Sequence, residues 1–296
     1  MAVSAGVAGA HAPRILVVGA GKMGEAIVAG WVSSEEGPAR GIDAAHVAIA
    51  NPGEARRTHM VQTYGVSAYE SASAAALAAE EAGVGFDIVV LAVKPQVMFD
   101  VLAPFAQHRA FCGGAITPLF VSIAAGLSTA RLEAALPQGA RVVRVMPNTP
   151  LMVGAGASGV CAGANASADD LALVCELFAC LGVAEVVNEA DMDAVCAVSG
   201  SGPAYVAAMI EAVRDAAAAQ GLNARLAETL ATQTVFGTAK LMLDRAQSAE
   251  QTRIAVCSPG GTTLAALDAM EKRGFNEVFA AGVDACVKRS KELGSC

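Results

Sequence analysis

The chain has 296 residues, enough for two domains and a large core. Hydrophobic residues make up 54% and charged ones 16%, yet charges, Gly or Pro break the most apolar stretches before about 18 residues, which argues against a membrane span. A net charge of −8 without any Lys/Arg cluster argues against nucleic acid as a partner.

Eight cysteines form no C-x-x-C and the chain has only four histidines, so no metal site is expected. Most of them read as small core residues of a reducing compartment. Residues 1–13 are Ala/Gly-rich and read as a flexible extension, lacking the basic start and apolar block of a secretion signal. Cytoplasm is the expected compartment, with an organelle left open.

Ile15 to Val18 are four apolar residues in a row, the mark of a strand buried on both faces. Gly19, Gly21 and Gly24 follow as G-x-G-x-x-G, and a helical pattern runs on to Trp31. The first glycine makes the turn, the second lets backbone approach a pyrophosphate, and the third lets helix pack on strand. That stretch predicts a dinucleotide site at a helix N-terminus.

Val47 to Ala50 is the second strand, ending at Asn51-Pro-Gly53. NAD-specific sites place a carboxylate at this strand end, whereas Asn51 stands here with Arg56 and Arg57 beyond it. These are charge-assisted donors for a 2′-phosphate, or solvated helix residues; the pattern favours NADP, with NADH as a second donor. Glu54 blurs the signal.

A minor strand at 65–66, a helix over 70–82, a strand over 86–93, a helix over 96–107, a strand over 119–125, a helix over 129–135 and a strand over 141–146 continue the alternation. Ligands in such sheets lie beyond the strand ends, so Ala92, Val93, Lys94 and Pro95 are placed at the cofactor. Lys94 reads equally as a site cation or a solvated lysine. Pro147 and Pro150 stiffen a turn that presents Asn148, whose amide suits a carboxamide or ribose unless the segment is a rigid turn only.

Alternation then fades. A strand ending near 163, a helix over 169–181 and a strand over 184–187 precede helical stretches at 192–221, 225–246, 263–273 and 275–293. The fold class is therefore an α/β Rossmann-type nucleotide-binding domain, 14–166, followed by an all-α domain, 167–296.

Two motifs interrupt the helices. Ser199-Gly-Ser-Gly-Pro-Ala-Tyr205 puts helix-breaking residues inside one long helix, a kink that lets another helix or subunit come close. Cys257-Ser-Pro-Gly-Gly-Thr-Thr263 leads straight into a helix and reads as a small-carboxylate site or an ordinary cap. Neither motif contains a general base, which suits hydride transfer by a bound cofactor.

Together, Gly19 to Gly24, Leu91-Ala-Val-Lys-Pro95, Val145-Met-Pro-Asn-Thr-Pro150, Val198 to Tyr205 and Ser258-Pro-Gly-Gly-Thr-Thr263 resemble the pyrroline-5-carboxylate reductases over residues 14 to 293. The resemblance implies NAD(P)H-dependent reduction of 1-pyrroline-5-carboxylate to L-proline, the final step of proline biosynthesis. It implies that Val18, Gly19, Ala20, Gly21, Lys22 and Met23 line the dinucleotide phosphates. Ser258, Gly260, Gly261 and Thr262 would hold the substrate carboxylate, and Thr263, the expected catalytic residue, would bond the ring nitrogen. It further implies that the helical domain dimerises, interlocked so that each site draws on both subunits, with rings of dimers in some members. Departures are Ser248-Ala249 where relatives often carry His-Pro, and Thr252 where they often carry Leu. These bear on higher assembly and on closure over substrate.

Two rivals are weighed. A β-hydroxyacid dehydrogenase would need a lysine on the helix Met192 to Gly221, which has none. A non-catalytic NADP sensor would have no use for the Ser-Pro-Gly-Gly-Thr-Thr loop.

Overall fold

A computed structural model describes residues 13–32, 42–112 and 117–295; most of the expected N-terminal extension, residues 1–12, lies outside them. The short apolar runs become strands β1 (Ile15–Val18), β2 (Val47–Ala50), β3 (Ser67–Tyr69), β4 (Ile88–Leu91), β5 (Leu119–Ser122) and β6 (Arg141–Met146). β7 (Gly156–Ala162) and β8 (Gly182–Val186) complete one eight-stranded sheet in the order β3-β2-β1-β4-β5-β6-β7-β8. All pairings are parallel except β6 with β7.

Successive residues of a strand face opposite ways, so a parallel sheet covered on both sides needs apolar residues at every position. β1, β2, β4 and β5 are buried throughout. Ile15, Val17, Ile49 and Val90 pack on one side with Ile27, Trp31 and Phe178. Leu16, Val18, Val89 and Phe120 pack on the other with Ala75, Phe105 and Phe111. The helices that supply these layers are α1 (Lys22–Val32), α2 (Glu54–Tyr64), α3 (Ala72–Glu81), α4 (Met98–Leu102), α5 (Arg109–Cys112), α6 (Thr129–Ala135) and α7 (Ala168–Ala179).

The single helix expected over 96–107 is in fact three short turns, Pro95–Val97, Met98–Leu102 and Phe105–Gln107. Pro104 lacks an N–H and clashes with the preceding turn, so a helix cannot run through it. The strand expected over 119–125 stops at Ser122.

The chain divides into two compact units, one of residues 1–200 with 287–296, the other of residues 201–286. The expected boundary at 166 marked the end of strict alternation; beyond it β8 still belongs to the sheet, and the first unit runs on through α8 (Met192–Val195) and a π-helical turn, Cys196–Gly200.

The second unit is helical: α9 (Gly202–Ala219), α10 (Ala224–Arg245), α11 (Ala249–Ala255), α12 (Thr262–Glu271) and α13 (Phe275–Ser295), whose end from Val287 groups with the first unit. Pro203 falls in the first turn of α9, where an N–H has no partner to lose. Helical structure therefore persists past Ser199-Gly-Ser-Gly-Pro203. As a result, and against the sequence expectation, the run Glu189–Ala219 is long and apolar enough to cross a membrane by length and composition, with 11% of its most apolar window buried.

Candidate active site

The sheet order reverses between β1 and β4, and the two strand ends meet there. Gly19 N–H donates to the Ala50 carbonyl, and Ala92 N–H to the Val18 carbonyl, both at 2.8 Å. Gly19 has φ +103°, and a Cβ on it would stand 2.7 Å from the Ala92 carbonyl oxygen. A Cβ on Gly24 would lie 2.1 Å from the Gly19 carbonyl oxygen. Gly21 by contrast is exposed, with no atom within 4 Å of where a Cβ would be.

α1 starts at Lys22, so its first amides lie just past this open backbone with no intrahelical partners. Open space, free N–H donors and a positive helix end fit a pyrophosphate. Of the other residues expected here, Ala20 is buried, Lys22 is exposed, and Met23, Ala92, Val93 and Pro95 are half-buried. Lys94 is exposed on extended backbone just before the turn Pro95–Val97.

At the end of β2 the polar side chains make contacts with the protein itself. Asn51 accepts from the Ala20 amide through Oδ1 at 3.3 Å, bracing the glycine turn. Arg56 donates through Nε to the Ala20 carbonyl and through Nη2 to Glu25. Arg57 donates to the carbonyls of Asn51 and Pro52 at 2.9 and 2.6 Å. Both arginines thus rest on the protein. Glu25 also holds His59 Nε2 at 2.6 Å and accepts from the Tyr64 hydroxyl at 3.1 Å. Burial raises the Glu25 pKa, but these hydrogen bonds and the Arg56 charge outweigh it and hold the carboxyl below its ordinary 4.5.

Asn148 is buried, and its amide faces inward. Oδ1 accepts from Ala157 N–H at 2.8 Å and Nδ2 donates to the Ser199 carbonyl at 3.0 Å. These two bonds make it a brace between the turn after β6, the start of β7 and the π-helical turn, in keeping with the rigid-turn reading.

In the second unit the expected substrate loop runs from Cys257 to Gly261. Gly260 has φ +70°, and Gly261 N–H donates to the Ser258 carbonyl at 3.0 Å, closing a turn. No side-chain hydrogen bond caps α12 at Gly261. The first amides of a ten-residue helix are therefore left for another acceptor. Ser258, Gly260 and Thr262 are exposed, while Gly261 and Thr263 are half-buried. Just upstream, Ser248 and Gln251 form a reciprocal capping box on α11. Thr252 is buried with its hydroxyl on the Ser248 carbonyl at 3.0 Å.

Sequence reasoning missed two side chains. Glu25 lies in the helical run after the glycines and was given no role from sequence. Arg144, buried inside β6, donates through Nη1 to Glu189 at 2.5 Å. Arg144 Nε and Nη2 find no partner among the described residues. Glu189 also accepts from the Cys161 thiol at 3.3 Å and the Thr129 amide at 3.4 Å. Burial, with the Glu189 charge, pushes the Cys161 thiol up to about 12, so it stays protonated and inert. The available signal was a charge inside an otherwise apolar strand.

A family model described as pyrroline-5-carboxylate reductase dimerisation matches residues 189–293, and one described as NADP oxidoreductase, coenzyme F420-dependent, matches residues 14–126. The pyrroline-5-carboxylate reductase of Synechocystis sp. is 40% identical over 278 residues, 94% of this chain and 97% of that protein. The chain belongs to the pyrroline-5-carboxylate reductase family. The reductase of Pseudomonas aeruginosa is 37% identical, over 95% of this chain and 97% of that one. A solved Coxiella burnetii pyrroline-5-carboxylate reductase is similar with a TM-score of 0.84 at 32% identity, covering 96% and 99% of the two chains. The Plasmodium falciparum pyrroline carboxylate reductase, solved with NADP bound, gives 0.78 at 29% identity, covering 95% and 98%. The chain is accordingly an oxidoreductase with a Rossmann-type nucleotide-binding fold and a helical dimerisation domain.

Proposed function

We propose that this chain reduces the imine of 1-pyrroline-5-carboxylate to L-proline, with NADPH as the favoured donor, acting as at least a homodimer. The observation that carries the reading is the uncapped start of α12 within Ser258-Pro-Gly-Gly-Thr-Thr263. Family membership supplies the reaction. NADPH, when bound, provides the hydride for the imine carbon.

The protein's part is orientation. The amides at the start of α12 and the hydroxyls of Ser258 and Thr262 bind the substrate carboxylate, an anion on a positive helix end. Thr263, one helical position further, directs its hydroxyl to the ring nitrogen and holds it for protonation. Fixing the ring this way lowers the barrier by proximity, and no strong base is needed. Gly19, Ala20, Gly21, Lys22, Met23 and Gly24 cradle the dinucleotide phosphates; Val18 closes β1 behind them. Ala92, Val93, Lys94 and Pro95 line the nicotinamide side. Asn51 and Arg56 mark the adenosine ribose, and the absence of an acid at Asn51 supports NADPH. Asn148 is left out because its amide is held by Ala157 and Ser199.

The test is oxidation of NADPH and of NADH with and without pyrroline-5-carboxylate, for the native chain and Thr263→Ala. We expect substrate-dependent oxidation, faster with NADPH, and a fall of about 100-fold in kcat for the variant with cofactor affinity kept. Tight cofactor binding without turnover would sink the reading.

A further inference from the structure

The cation that the end of β2 offers to a 2′-phosphate is not a free side chain. Arg56 is held on two sides, by the Ala20 carbonyl through Nε and by Glu25 through Nη2. Glu25 is itself fixed by His59 and Tyr64, and its side chain is about one-fifth exposed against one-third for Arg56. Nη1 of Arg56 makes no hydrogen bond to the protein among the described residues.

We propose that Glu25 is a specificity-determining residue: by holding Arg56, it limits the positive charge available to a 2′-phosphate and so restrains the preference for NADPH over NADH. The inference rests on the reading of the first unit as an NAD(P) site with the adenosine ribose at the end of β2.

The argument is one of charge. A phosphate that approaches Arg56 must share the guanidinium with a carboxylate already in contact with it, and the two anions repel. A ribose 2′-hydroxyl carries no charge, so NADH neither gains from Arg56 as an ion nor suffers from Glu25. The carboxylate therefore acts on one cofactor and spares the other. Arg57 is anchored through Nη1 to the Asn51 and Pro52 carbonyls, and its charge is the same in every variant compared. Glu54, exposed in the first turn of α2, adds further negative charge on the solvent side. The start of α2 at Gly53 has no side-chain cap and favours a phosphate over a hydroxyl, a contribution that is the same in every variant compared.

The experiment measures binding alone. Adenosine 2′,5′-bisphosphate and 5′-AMP differ only in the 2′-phosphate, and their dissociation constants for the full chain are compared by calorimetry. The native chain is set beside Glu25→Gln, Arg56→Met and the double variant. Gln keeps the size of Glu25 and still bonds His59 and Tyr64, so the fold is preserved.

Glu25→Gln is expected to raise the bisphosphate-to-AMP affinity ratio about fivefold, the size of one partly exposed ion pair. In the Arg56→Met background the same change is expected to raise it less than twofold, because the effect passes through Arg56. An unchanged or lowered ratio in Glu25→Gln overturns the proposal. So does an equal rise in both backgrounds, which would mark simple repulsion. A native ratio near one would instead remove the NADPH preference, while the cycle still reads whether Glu25 acts through Arg56.

Discussion

The Asn148 side chain and the Ser199 carbonyl, 51 residues apart in sequence, are joined by a hydrogen bond of 3.0 Å. The other end of the same amide accepts from Ala157 at 2.8 Å. Both partners are backbone groups, and a buried backbone group without a partner costs about 1–3 kcal/mol. Asn148→Ala is therefore expected to lower unfolding stability by about 2–4 kcal/mol in urea titration while leaving NADPH affinity within about twofold. Asn148→Asp keeps the Ala157 bond but sets a carboxylate against a carbonyl, and should be no more stable than Ala. A large loss of cofactor affinity with stability kept would return Asn148 to the cofactor.

Gly21 and Gly24 separate folding from binding. A methyl on Gly24 would meet the Gly19 carbonyl oxygen at 2.1 Å, a backbone atom that can yield only by shifting the turn. A methyl on Gly21 meets nothing within 4 Å and stands where the pyrophosphate is placed. Gly24→Ala should lower the melting temperature of the cofactor-free chain and weaken NADPH. Gly21→Ala should leave that melting temperature within a few degrees but weaken NADPH about tenfold or more, measured by fluorescence titration. Unchanged affinity in Gly21→Ala would move the dinucleotide elsewhere.

The parallel sheet was legible because double-sided burial demands unbroken apolar strands, and the runs at Ile15, Val47 and Ile88 contain little else. The glycine turn was legible because its constraints fall within six consecutive residues. Glu25 with Arg56, and Asn148 with Ser199, were not. Their partners lie 31 and 51 residues away, and no periodic pattern records which way a polar side chain turns. For Arg56 and Asn148 the sequence left both a ligand contact and a purely local role open, because it does not record which protein atoms a polar side chain meets. The long helical stretch from Met192 was legible too, and what its sequence left open was the form of the interruption, a π-helical turn with Pro203 in the first turn of the helix that follows.

The Arg144–Glu189 pair should govern the acid limb of stability. Burial raises the Glu189 pKa, but the Arg144 charge and the hydrogen bonds from Cys161, Arg144 and Thr129 outweigh it and hold the carboxyl below 4.5. A group whose folded pKa is lowered stabilises the fold fully above its unfolded value. That contribution is lost as pH falls from about 4.5 through the folded value. Glu189→Gln should flatten the fall of stability in this window. At neutral pH it should cost about 2 kcal/mol, since the buried guanidinium loses its counter-charge while Glu189 remains one-third exposed. Parallel acid unfolding curves for the two proteins would show that Glu189 titrates alike in both states.

Within the second unit, apolar side chains of α9 and α10 stand exposed among the described residues. Val213, Leu226, Leu230, Phe236 and Leu241 of α9 and α10 are all more than 40% exposed. Tyr205, Met209, Met270, Phe275 and Phe279 line an apolar groove of about 540 Å³. Burying one such large side chain contributes about 1.5–3 kcal/mol, so these residues together offset much of the cost of association. A second copy brings the same surface, and self-complementary apolar patches close into dimers. A charge in this face would then have to be buried unpaired, at a cost well above that gain. Phe236→Glu and Leu230→Glu are therefore expected to elute as monomers in size exclusion with light scattering, with far-ultraviolet circular dichroism kept and pyrroline-5-carboxylate reduction lost. If both variants retain the native mass, the association lies on another face, and α10 is covered by something other than a second copy.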